Sequence, residues 1–145
     1  MSWRYLLDAA ERGHALSQAR VGIAYSTGTA GPGIDHDAAV HWLTLAVDQA
    51  TKDLAFMPDE AGTYRSRELA LARYHLGMFL LAGEKVDRDV ARALELFHYA
   101  SAHDCALATN QLGQMYRMGI GVPHDYAKAV SLYQAAANAG VSAAA

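Results

Sequence analysis

Apolar residues recur every three or four positions along most of the chain, and glycine-rich turns interrupt this pattern at regular intervals. In residues 106–118, Leu112 and Tyr116 lie on one helical face, and a second apolar face starts near residue 124. The turn between them, residues 119–123, holds two glycines and a proline. These residues break a helix because glycine adopts left-handed conformations and proline lacks a backbone N–H. The pattern therefore predicts a helix, a turn and a second helix.

This helix–turn–helix unit is repeated along the chain. When residues 70–105 are aligned with residues 106–141, twelve of the 36 positions are identical. An earlier and more diverged unit places Gly22 in the position of Gly77 and Gly113. A unit of this kind buries its apolar face only against its neighbours, so the repeat predicts a solenoid.

We expect one domain over residues 1–145, an all-α, right-handed α/α solenoid superhelix with about seven helices. It would consist of an N-terminal capping helix, three helix–turn–helix repeats and one insertion. In chain order these parts are the cap at 3–13, repeat one at 15–50, the insertion at 51–66, repeat two at 67–104 and repeat three at 106–140.

Gly77 and Gly113 lie inside predicted helices, where glycine costs about 1 kcal/mol relative to alanine. Close approach of the paired helix would offset this cost. We expect small residues of the second helices to face the two glycines, namely Ala93, Ala100, Ala129 and Ala136. We also expect the last helix to end at Gly140 and Asp104 to take the same left-handed conformation one repeat earlier.

Composition supports a helical fold and excludes several functions. Alanine is abundant in the 145 residues and proline occurs only three times, which favours helices. The net charge of −3 offers no electrostatic footprint for nucleic acid. No apolar stretch reaches the length of a membrane span, and the single cysteine is typical of a reducing compartment. We therefore expect a cytoplasmic protein that binds neither nucleic acid nor membranes.

One signature runs from Ala106 to Gly140 and resembles the Sel-one-like repeat, which is related to the tetratricopeptide repeat. Its residues in this chain are Leu112-Gly113, Tyr116, Gly119, Gly121-Val122, Asp125, Lys128-Ala129, Tyr133, Ala135-Ala136 and Gly140. Repeat two departs from it at Leu80, in place of the tyrosine, and at Arg92, in place of the lysine. The resemblance implies a superhelical scaffold that binds proteins or peptides without catalysis or a cofactor.

The insertion separates repeats one and two, and two interpretations of it remain open. Residues 54–57 can prolong the preceding helix, and Pro58 can open the next one, because proline is tolerated in a first turn. The favoured interpretation is therefore two lengthened helices. The alternative is a projecting hairpin that offers Phe56, Met57 and Tyr64 to a partner.

Candidate chemistry is sparse. The seven histidines include no HExxH motif, and the pairs His36/His41 and His98/His103 are five residues apart, off one helical face. Cys105 adjoins His103 in sequence, but a nucleophile and its base normally meet through the fold rather than as neighbours in sequence. We predict no catalytic residue, no metal site and no cofactor.

A partner is expected on the concave surface, which the first helix of each repeat lines in such solenoids. The candidate binding residues point away from the packing face of those helices and are Ile23, Ser26, Tyr74, Met78, Asn110, Gln114 and Arg117. Tyr74 and Arg117 belong to the residue types that most often anchor interfaces. Three leucines on the same helices, Leu16, Leu71 and Leu107, are expected to belong to the core instead.

The leading functional hypothesis is an adaptor or scaffold that binds a protein segment in this groove. An immunity-type protein that neutralises a toxin is the alternative, suggested by the small acidic domain and its insertion, and an enzyme is a weak third. Residues 141–145 resemble the opening of a further first helix, so we also expect self-association through the C-terminal face and leave open whether this end is natural.

Overall fold

The structure is a computed structural model that describes residues 3–28, 33–56 and 67–144, and those residues form only helices, turns and loops. Seven helices follow one another: α1 (Trp3–Glu11), α2 (Ala15–Thr27), α3 (His36–Phe56), α4 (Arg67–Ala82), α5 (Val90–Ala102), α6 (Ala106–Met118) and α7 (Tyr126–Ala144). The prediction of an all-α fold with about seven helices is confirmed within the described residues.

The helices pack as a series of hairpins. Helix α2 packs along α3, α4 along α5 and α6 along α7, while α1 rests on α2. Helix α4 also contacts both α2 and α3, and α6 contacts α5. One core cluster of buried side chains runs through the stack from Ala15 to Met115. We call the contact of α2 and α3 with α4 and α5 the first junction, and that of α4 and α5 with α6 and α7 the second junction.

The helical glycines form notches for large side chains of the paired helix. A Cβ atom on Gly77 would lie 2.8 Å from the ring of Phe97, and one on Gly113 would lie 3.0 Å from the ring of Tyr133. Leu43 occupies the same place at Gly22. The predicted packing role of Gly77 and Gly113 is confirmed, but the atoms that approach them belong to large side chains of the paired helix rather than to the alanines we expected.

An aspartate begins the second helix of every repeat. The side-chain carboxylates of Asp35, Asp89 and Asp125 each accept a hydrogen bond from the backbone N–H three residues later, at 3.0–3.1 Å. The backbone N–H of each aspartate also donates to a carbonyl of the preceding first helix. These contacts satisfy N–H groups that have no partner inside the helix and fix the angle of the turn.

Helix ends follow the residue at one repeated position. Gly13 after α1 and Asp104 after α5 take positive φ angles of 91° and 68°, which ends those helices, as predicted for Asp104. Ala50 stands at the equivalent position of α3, and α3 continues to Phe56. The prediction that the last helix ends at Gly140 is wrong, since α7 runs to Ala144. The residues after Gly140 include alanines, whose helix propensity helps to offset the cost of one helical glycine.

The described part of the insertion, residues 51–56, is helical. Helix α3 extends beyond repeat one to Phe56, which agrees with the interpretation of a lengthened helix for that part, and α4 begins at Arg67, within repeat two. The hairpin alternative depends on residues 57–66, including Met57 and Tyr64, and these lie outside the described residues. The side chain of Phe56 lies outside them too.

Candidate protein-binding surface

The predicted binding residues all lie on α2, α4 and α6, and their exposure differs. Asn110 and Arg117 are exposed, Met78 is at the edge of exposure, and Ser26 and Gln114 are half-buried. Ile23 is half-buried and packs against the core. We call the exposed and half-buried side chains of these three helices the first-helix surface.

The side chain of Tyr74 packs against the core, which makes it less available to a partner than we expected of a binding anchor. Its ring lies 6.0 Å from the ring of Phe97, which is fully buried, and 5.2 Å from that of His75. Burial raises the pKa of its hydroxyl, so the side chain is neutral at ordinary pH. Replacing Tyr74 would therefore disturb the packing of α4 on α5 as well as any partner.

A cavity of about 780 Å³ opens between the first turns of α4 and α6. Its described lining is apolar at Leu71, Cys105, Ala106, Leu107 and Ala139, and its charged residues are Arg67, Glu68 and Asp104. We call it the α4–α6 cavity. Its volume falls in the range of ligand and peptide side-chain pockets.

The structure corrects the expected placement of one of the three leucines. Leu16 and Leu71 are half-buried and pack against the core, as expected. Leu107 is 52% exposed, so the prediction that it belongs to the core is wrong for this residue. The cause is the spacing of the helices: α2 packs along α4, whereas α6 packs mainly on α5 and α7 and hardly touches α4.

Charged side chains cross the first junction in three places. Arg20 of α2 pairs with Glu68 of α4, with the Nη2–Oε1 distance 3.3 Å. Two weaker ion pairs join Lys85 to Asp37 and Arg92 to Asp48, at 3.7 and 3.9 Å. All three are partly solvent-exposed. They link α3 and α2 to the following repeat along its length.

The second junction carries different residues at the equivalent positions. His75 lies two residues before Gly77, as Arg20 lies two residues before Gly22. Asp104 lies nine residues before Gly113, as Glu68 lies nine residues before Gly77. The side chains of His75 and Asp104 form no ion pair. The imidazole Nδ1 of His75 instead lies 3.5 Å from the hydroxyl of Ser26, in a smaller cavity of about 240 Å³. Burial lowers the pKa of His75 and favours its neutral form.

One buried polar position recurs in the first helices. Gln18 donates from Nε2 to the carbonyl of Ala10 at 3.1 Å, and the hydroxyl of Thr109 shares a hydrogen bond with that of Ser101. Ala10 and Ser101 are equivalent positions in the preceding second helices. Each bond therefore ties one repeat to the one before it.

Arg73 occupies this position in repeat two and behaves differently. The equivalent carbonyl, that of Val47, lies inside the lengthened helix α3 and already accepts a hydrogen bond from the hydroxyl of Thr51. Arg73 is only 3% exposed, and its guanidinium carbon lies 3.9 Å from the centroid of the Tyr99 ring. Burial lowers the pKa of Arg73, and the contact with Tyr99 opposes that shift. Spacing alone does not identify this position, because the three residue types have nothing in common.

The described residues contain no cluster of histidine, cysteine and acidic side chains arranged to hold a metal ion. Burial raises the pKa of the Cys105 thiol, and the nearby N–H groups of Ala108 and Leu107 oppose the shift only in part. A thiol in this state is a poor nucleophile. Across the ranges that the structure describes, each helix is too short or too polar to cross a membrane.

Stacked helical hairpins with notched first helices and an open groove between repeats define an α/α solenoid of the repeat-scaffold class. The family model of the Sel1 repeat matches residues 15–50, 70–105 and 106–141. The chain belongs to the Sel1 repeat family, whose members are commonly non-catalytic scaffolds for protein interactions. No curated protein sequence matches the chain significantly.

The chain is also similar to proteins of solved structure. A Sel1 repeat protein from Oxalobacter formigenes is 20% identical, with 95% of this chain and 91% of that one covered and a TM-score of 0.69. A protective antigen of uropathogenic Escherichia coli with an SLR fold is 25% identical, with 92% of this chain and 32% of that one covered and a TM-score of 0.46. At these levels the first similarity shows the fold alone.

Proposed function

We propose that the protein is a non-catalytic scaffold that binds a segment of another protein on the first-helix surface. The α4–α6 cavity is the main support, because its described lining is largely apolar and lies at the first turns of α4 and α6, and α6 also carries Asn110 and Arg117. An exposed cavity with a largely apolar lining is typical of an interaction site. Family membership supports the same class of function.

The proposal can be tested by affinity purification of the tagged full chain from its native host. A double variant, Met78→Glu with Arg117→Glu, changes two side chains of the first-helix surface and leaves the core intact. We expect it to retain at least tenfold less of the captured partner, since interface anchors contribute about 2 kcal/mol each. We chose to mutate Met78 and not Tyr74, because Tyr74 also supports the packing of α4 on α5.

The matched control is Ser131→Glu with Gln134→Glu, which adds charge to exposed positions of α7. Circular dichroism should show the same helicity for both variants and the wild type. Equal retention by all three proteins would contradict the proposal, and so would equal loss in the control.

Further roles rest on the sequence and are proposals of the same standing. Tyr126 and Val130 of α7 are more than half exposed, which supports self-association through the C-terminal face, measurable by light scattering at increasing concentration. The immunity-type function, the cytoplasmic location and the candidate sites in the insertion stay predictions.

A further inference from the structure

Asp104 is the charged residue that most clearly distinguishes the α4–α6 cavity from the first junction. Its counterpart Glu68 is neutralised by Arg20, but the position equivalent to Arg20 is His75, which faces Ser26. No ion pair of Asp104 with any described residue lies within 4.0 Å. The carboxylate is held at the cavity by the left-handed backbone of the α5–α6 turn.

Among the described residues, the apolar part of the cavity is a helix-packing surface that no helix fully covers. At the first junction, the side of α4 that faces α2 is covered by that helix. At the second junction, Leu71 and Leu107 line the cavity and Leu107 keeps half of its surface exposed. An aliphatic or aromatic side chain placed between these leucines would bury the apolar surface that stays exposed because α4 and α6 hardly touch.

Two other charged residues border the cavity. Glu68 is engaged with Arg20, and Arg67 is exposed at the first turn of α4 without forming an ion pair with Asp104. A segment that brings a cation to Asp104, away from Arg67, would therefore supply what Arg20 supplies at the first junction. The net charge of −3 favours the approach of such a segment.

We propose that the α4–α6 cavity binds a segment of a partner protein in which a lysine or arginine stands close to an aliphatic or aromatic residue. The basic side chain pairs with Asp104, and the apolar one packs between Leu71 and Leu107. This inference rests on the proposed function and specifies the partner's chemistry at that surface.

The test uses the full chain and a phage-displayed library of random peptides as the probe. Peptides selected on the wild type should share a basic residue near an apolar one. Their affinity should fall about tenfold or more for Asp104→Asn, because the variant removes the charge and keeps a residue that tolerates the left-handed conformation. A matched control, Asp87→Asn, removes an exposed carboxylate from the turn of repeat two and should bind the peptides normally.

The outcomes separate this inference from the broader function. Peptides that bind Asp104→Asn and the wild type equally, or that share no basic residue, would overturn the inference. If those peptides lose affinity for the Met78→Glu and Arg117→Glu double variant, the proposed function still stands. Failure to select any binding peptide would count against both. Loss of affinity in Asp104→Asn alone, with unchanged thermal unfolding, is the expected result.

Discussion

The first and second junctions join equivalent surfaces of equivalent repeats, yet they are built differently. At the first junction, α2 packs along α4 and three partly exposed ion pairs cross between the repeats. At the second junction, the first helices α4 and α6 are separated by a cavity, and the contact is made by α5. The repeat unit therefore specifies each hairpin, while the residues between hairpins determine how closely the first helices approach.

The second junction is held mainly by buried contacts on the side of the second helices. Thr109 and Ser101 share a hydrogen bond there, and a Cβ on Gly121 would lie 2.5 Å from Val90, so the turn of repeat three packs tightly on α5. These contacts fix α6 at one side while its outer face stays open. Exposed ion pairs contribute only about 0.2–1 kcal/mol each, so those of the first junction add more to its geometry than to its stability.

The strongest way to disrupt both junctions is to fill the notch of repeat two. Gly77→Leu should destabilise the protein by about 3 kcal/mol, because the added side chain would meet the ring of Phe97, which is fully buried. Gly113→Leu should cost less, about 2 kcal/mol, because Tyr133 is only half-buried on α7. Urea unfolding measures both, and Met78→Leu is the neutral control. Equal stability of Gly77→Leu and the wild type would contradict the notch.

Removing the buried hydroxyl contact tests the second junction alone. Thr109→Val should destabilise by about 1 kcal/mol, because it removes a bond to the Cys105 carbonyl and leaves Ser101 without that partner. The loss should not depend on salt. Ser131→Ala, at an exposed position of α7, provides the control in the same unfolding experiment. A cost as small as the control's would mean that these hydroxyls do not tie the repeats together.

Removing the ion pair tests the first junction in the same way. Arg20→Gln should cost about 0.5 kcal/mol at low ionic strength, and the cost should shrink as salt screens the pair with Glu68. Unfolding at two salt concentrations measures the difference. A cost that stays constant with salt would indicate packing of the Arg20 side chain rather than charge.

The smallest expected effect is a pH dependence from His75. Burial lowers its pKa in the folded protein, so the unfolded chain binds more protons between that value and the ordinary pKa near 6.5. This contribution to stability is fully present above about pH 6.5 and is lost as the pH falls toward the folded pKa. His75→Gln should therefore lose less stability than the wild type on acidification. Parallel stability curves would contradict this.

The repeated features of the fold were predictable from the sequence, because one unit explains each of them. The aligned glycines predicted the hairpins, and the alignment of Asp104 with Gly140 predicted its left-handed backbone, which the structure confirms. The notch partners were missed because Phe97 and Tyr133 look like ordinary core residues in a periodic pattern. The capping role of Asp35, Asp89 and Asp125 could have been found from their spacing before each second helix.

The candidate site was less predictable, since it depends on differences between repeats. Leu107 resembles Leu71 in the aligned sequence, and only the separation of α4 from α6 exposes it. The substitution of His75 for Arg20 is visible in the alignment, but its meaning requires the observed pair of Arg20 with Glu68. Pairings across a junction depend on helix spacing, which periodicity does not determine.

The most direct test of the difference between the junctions is to transfer the ion pair of the first junction to the second. His75→Arg places a guanidinium at the aligned position of Arg20, whose partner position across the second junction is Asp104. We expect the affinity of the strongest library peptide, measured by calorimetric titration, to fall about tenfold or more, because Asp104 then has a partner within the chain. His41→Arg, which makes the same change at an exposed position of α3, should leave that affinity unchanged. Unchanged affinity in both His75→Arg and Asp104→Asn would contradict the assignment of the α4–α6 cavity as the binding site.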